Sequence, residues 1–144
     1  MTTRRTALFS IGAAAMLALP GTLRAQTGRQ FTARDYAGTW DWMFHEKPFA
    51  TMVLKQKGDG FTGAITNCTL DMDSDGHITG ATAGEGYTPI VSTSFTQGGL
   101  HIVEKEGDDE TEWDMTLQSA TKAQMRMAGE NAAGADAIEL VKVQ

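Results

Sequence analysis

The stretch Glu112-Trp113-Asp114-Met115-Thr116-Leu117-Gln118, and Lys122-Ala123-Gln124-Met125-Arg126-Met127 after it, alternate strictly between polar and apolar. A period of two puts Trp113, Met115 and Leu117 on one face and the charged residues on the other, as in a β-strand covering a core on one side. Ala123, Met125 and Met127 do the same on the second strand. Ser119-Ala120-Thr121 between them is too short for a crossover, so the two strands must run antiparallel.

Outward from this pair the pattern persists. Extended stretches are expected at Gly38–Phe44, Phe49–Lys57, Phe61–Thr69, His77–Thr82, Tyr87–Thr96, Leu100–Glu106, Thr111–Gln118, Lys122–Ala128 and Ala137–Val143. Met52 with Leu54, Phe61 with Ile65, Leu100 with Ile102, and Ile138 with Leu140 supply the apolar face. Gly58-Asp59-Gly60 and Gln97-Gly98-Gly99 are tight turns, and turn signals recur about every 8–12 residues, the rhythm of an all-β sandwich or barrel. No helical period survives past residue 30. An up-and-down set of about eight strands with one apolar face closes most simply into an antiparallel barrel, which also removes exposed edges. An aligned β-sandwich is the alternative.

The first 25 residues have a different composition. Arg4 and Arg5 precede a 13-residue apolar run, Ala7 to Leu19, and Pro20-Gly21 and Thr22-Leu23-Arg24-Ala25 follow. That run is too short to anchor in roughly 30 Å of hydrocarbon and has the layout of a removable signal peptide, so the product is expected in the periplasm or secreted. Thr3-Arg4-Arg5-Thr6-Ala7-Leu8 also resembles a twin-arginine export signal, an ordinary secretory signal being the other reading. Residues 26–34 form a polar leader and 35–144 a single domain. Cleavage after Ala25 removes three arginines and no acid. Twelve basic against 18 acidic residues become nine against 18, and the formal charge moves from −6 to −9. Such a field disfavours nucleic acid and anionic membrane surfaces as partners. Cys68 is the sole cysteine, so no internal disulfide forms.

Asp35-Tyr36-Ala37-Gly38-Thr39-Trp40 resembles the opening of the lipocalin and wider calycin barrels, where a short helical lead-in reaches a Gly-x-Trp on the first strand. The resemblance implies an eight-stranded barrel with the Trp40 indole plugging its closed end. It also implies a cation from the last strand over that ring, Lys142 being best placed and Arg126 second. A barrel that is apolar inside and acidic outside would hold a small hydrophobic molecule in its cup. The apolar residues Phe61, Trp113, Met115, Leu117, Met125 and Met127 are the candidate lining.

Other residues suggest other chemistry. A small isomerase, cyclase or lyase on the same barrel would draw on His45, His101, Glu104 and Tyr87. An envelope module that docks on or inhibits another protein would use the loops instead. Asp71-Met72-Asp73-Ser74-Asp75-Gly76-His77-Ile78 follows the first eight positions of a calcium loop, with Asp71, Asp73 and Asp75 as ligands; a solvated hairpin turn is the plainer reading. Met125-x-Met127 would suit copper(I), although such side chains more often fill cores. No cofactor beyond a possible calcium ion is expected.

Overall fold

A computed structural model of the chain describes residues 30–129, 132 and 134–144. The expected signal peptide and the first residues of the leader lie outside the described residues. A short helix, α1 (Ala33–Tyr36), precedes eight strands: β1 (Gly38–Phe44), β2 (Lys47–Lys57), β3 (Gly60–Met72), β4 (Ile78–Thr96), β5 (Gly99–Glu106), β6 (Asp109–Leu117), β7 (Lys122–Met127) and β8 (Ile138–Lys142). Each strand pairs antiparallel with the next and β8 returns to β1, closing an up-and-down barrel. The barrel is the architecture expected from the alternation, and the sandwich is set aside.

The register of the closing pair places Trp40 opposite Lys142 and Trp42 opposite Leu140. Inward positions carry the core: Trp40, Trp42, Met52, Leu54, Leu100, Ile102, Met115, Met125 and Leu140 are all fully buried. Each such side chain contributes about 1.5–3 kcal/mol of burial relative to exposure. The outward residues of β6, Glu110, Glu112, Asp114 and Thr116, are exposed and polar, the reverse of a lipid-facing strand. Among the described residues no helix is long and apolar enough to cross a membrane.

One end of the barrel is sealed. Asp35 accepts from the Thr32 amide at 2.8 Å and so caps α1. That turn lies against the floor, where the Trp40 Nε1–H donates to the Tyr36 carbonyl at 2.9 Å. Lys142 Nζ sits 4.8 Å from the centre of the Trp40 ring and donates to the Asp35 carbonyl at 2.8 Å. Lys142 is thus the cation over the ring; Arg126 bonds the Ala135 carbonyl elsewhere. Gly38 has φ +132°, and a Cβ there would meet the Lys142 side chain at 3.4 Å, so glycine admits both the turn into β1 and the lysine. Ala33 and Arg34, expected in the leader, belong to this sealing turn.

The other end differs from expectation. His77–Thr82 and Tyr87–Thr96, read as separate strands, are one strand of 19 residues. Gly84-Glu85-Gly86, between those two expected stretches, forms a bulge, three residues of β4 set against Asn67 alone. Gly86 takes φ +82° there, and the Asn67 side-chain amide donates to the Glu85 carbonyl at 2.9 Å. Beyond the bulge, Cys68–Met72 and Ile78–Ala83 pair with each other only, since β2 pairs with β3 as far as Ile65 and β5 with β4 from Ile90 on. A two-stranded ribbon therefore continues past the barrel wall.

Its tip is tied down across the mouth, to the segment that leads into β8. The Asp136 carboxylate accepts from the Ile78 amide at 3.1 Å and meets His77 Nδ1 at 3.2 Å. The Asp136 amide donates to the Gly76 carbonyl at 3.0 Å. Leu70, Ile78 and Ala81 of the ribbon pack on the core.

Candidate functional site

Between the ribbon and the barrel core lies a cavity of about 290 Å³. Two indoles border it: Trp42 and Trp113 meet edge to face, centroids 4.9 Å apart at 78°. Its walls are Ile65, Thr66, Asn67, Cys68 and Leu70 from β3, Thr88 from β4, Glu104 and Glu106 from β5, Thr111 from β6 and Met127 from β7. A second cavity of about 310 Å³ lies beside the β1–β2 turn, lined by Phe44, His45, Phe49, Ile78 and Asp136 among others. Leu70 borders both, so the ribbon divides the mouth.

The first cavity holds an organised set of polar groups. The Trp113 Nε1–H donates to Glu104 Oε1 at 2.9 Å. Thr88, itself buried, donates its hydroxyl to Asn67 Oδ1 at 2.6 Å. Burial raises the Glu104 carboxyl above its ordinary pKa; the Trp113 bond opposes that shift and the Glu106 charge adds to it. The Cys68 thiol is pushed up to about 11, by burial first and by Glu104 second, so it stays protonated and a poor nucleophile at neutral pH. The Trp42 Nε1 is buried without a hydrogen-bond partner, an arrangement that costs about 1–3 kcal/mol for a neutral donor.

No family model, curated protein or solved structure matches this chain. The chemistry of the site is therefore read from its own residues.

Trp113 and Met127, expected to line a cup, border the first cavity. Met115 and Met125 are fully buried in the core, where the Met-x-Met pair is divided between core and cavity wall. Leu117 is buried as well, and Phe61 packs toward the floor against Phe95, centroids 6.1 Å apart. The four acid–base candidates do not meet. Glu104 alone borders this cavity; His45 lies at the β1–β2 turn, stacked on Phe44 at 4.0 Å. Tyr87 is exposed on the outside, and His101 stands on the outer wall between Asp114 (2.8 Å) and Glu112 (3.0 Å).

The Asp-rich loop is the ribbon tip. Asp73 Oδ1 accepts from the amides of Asp75 and His77, both at 2.9 Å, and the His77 bond in particular holds its carboxyl below the ordinary range. Among the described residues no three His, Cys, Asp or Glu side chains are gathered as a metal ion would need.

Sequence reasoning passed over Trp42, Asn67, Thr88 and Thr111. Trp42 had a signal, since it stands two residues after Trp40 on the same face. Glu104, already named among the acid–base candidates, is the charged member of the inward series Leu100, Ile102, Glu104. Asn67 had none, because its role depends on the bulge.

Proposed function

We propose that the protein is an exported, calycin-like binding protein that holds a small, largely apolar molecule in the cavity beneath the ribbon. The observation that carries this reading is the asymmetry of the barrel interior. Below the Trp42–Trp113 pair the barrel is filled by its own side chains. Above it, about 290 Å³ stays open, near the lower end of the usual range for ligand pockets, about 300–1,000 Å³. Half of its lining is aromatic, aliphatic or sulfur-bearing, and the polar half includes groups fixed by hydrogen bonds, which suits a ligand with an apolar body and a polar end. The sealed floor, with Trp40 under Lys142, is what the calycin resemblance implies. The amino-terminal sequence supports work in the periplasm or outside the cell.

The test is calorimetric titration of the exported protein with naphthol, a neutral probe of bicyclic size. The expected result is saturable one-to-one binding that Thr111→Trp, which fills the cavity, abolishes. Absence of saturable binding, or equal binding by the filled variant, would overturn the reading. The protein recovered for this experiment should begin near Gln26; retention of Met1 to Ala25 in a membrane fraction would overturn the export assignment.

A further inference from the structure

The cavity's electrostatics narrow the ligand class. Its wall carries two carboxylates, Glu104 and Glu106, and no lysine, arginine or histidine. Glu104 is half-buried, its oxygen tied to the Trp113 indole, and no cation of the described residues forms an ion pair with it. An ionised carboxylate withdrawn from water is costly unless a countercharge comes with it. The protein supplies one hydrogen bond and no countercharge, so a cation brought by a ligand would relieve that cost. A metal ion is a poor fit, because a hard divalent cation takes six or more oxygens and no set of three ligating side chains gathers here. An organic cation needs far less. One or two carboxylates satisfy an ammonium group, and neighbouring aromatic rings favour it further.

Resting on the binding function proposed above, we infer that the ligand is a small amphipathic amine, its ammonium group against Glu104 and its apolar body between the indoles and Met127. The remaining polar groups suit the same occupant. Asn67 and Thr88 are bonded to each other and present no positive charge to repel an ammonium. Glu106, at the exposed rim, adds attraction along the way in. An anionic ligand would meet two like charges and no partner.

The experiment compares three probes of one shape: phenethylamine, phenethyl alcohol and hydrocinnamate, titrated calorimetrically into the full exported protein at neutral pH. The amine should bind about tenfold or more tighter than the alcohol, the worth of a charge-assisted hydrogen bond. Hydrocinnamate should bind most weakly. In Glu104→Gln the amine's advantage should fall to within about twofold of the alcohol, whose own affinity should hardly move. Equal binding of amine and alcohol by the wild-type protein would overturn the inference while leaving the apolar cup standing, as would a preference for hydrocinnamate. Failure of all three while naphthol binds would overturn the inference alone, and failure of naphthol as well would remove the cup itself. An amine preference that survives in Glu104→Gln would also overturn the assignment to Glu104. Should that variant not fold, the ranking of the three probes on the wild-type protein decides.

Discussion

Two tryptophans on one strand, Trp40 and Trp42, are both fully buried, yet the ends of the barrel they serve are built oppositely. At Trp40 every polar group is matched: the indole N–H finds the Tyr36 carbonyl, Lys142 covers the ring, and α1 seals the floor. At Trp42 the N–H has no partner, the neighbouring Glu104 has no countercharge, and an open volume adjoins both. A barrel stabilised by its filled half can leave the other half incompletely satisfied. Functional sites are where polar groups are commonly left this way.

The sharpest attempt to break this comparison truncates one residue at each end. Trp40→Ala should cost about 3–5 kcal/mol in chemical denaturation, through lost burial and the cavity left behind. Met127→Ala, on the cavity wall, should cost less than about 2 kcal/mol, because open space already adjoins it. Similar losses for the two would mean that the upper half is packed as tightly as the floor.

A finer test keeps the rings and removes the donors. Trp40→Phe and Trp42→Phe delete about the same volume, but only the first strands a buried carbonyl, that of Tyr36. Trp40→Phe should therefore be the more destabilising by about 1–3 kcal/mol. Equal costs would show that the Trp42 N–H is as well satisfied as that of Trp40.

The smallest effects concern one histidine in the wall and one at the mouth. The hydrogen bond to Asp114 raises the pKa of His101 above its ordinary 6.5, against burial. Its stabilisation is full below the unfolded value and is lost as pH rises through the folded one. His101→Gln should remove about 0.2–1 kcal/mol of stability on the acid side and flatten that pH dependence. His77 is likewise raised, chiefly by its bond to Asp136. His77→Gln should leave global stability alone and speed amide exchange in the ribbon, Cys68–Met72 and Ile78–Ala83, most visibly at low pH. Unchanged ribbon exchange would show that His77 does not hold the tip.

The strands were legible because their apolar residues alternate, and alternation is a local property. Short turns then forced neighbours antiparallel, and the barrel followed. The ribbon was illegible for two physical reasons. Gly84 and Gly86 read equally well as a turn or a bulge, and only the partner Asn67 distinguishes them. The Ile78–Asp136 bond joins residues 58 apart in sequence, which no local pattern announces. The Asp-rich loop was noticed for its carboxylates, while the carboxylate that matters most there is the distant Asp136. The cavity was half legible: Trp113 and Met127 follow from the strand phase, but no phase reveals how high the side chains fill the barrel.

The segment from Asp136 to Lys142 has a double duty with consequences for biosynthesis. It closes the seam between β7 and β1, and Asp136, two residues before β8, clasps the ribbon. A chain still emerging from the ribosome therefore has an open sheet and a loose arm together, and both are completed by the barrel's final strand and the residues just before it. Until then the half-made barrel stays pliant. Once those residues arrive, seam and clasp set in a single event, so a nascent chain should pass from unlatched to latched without pausing between.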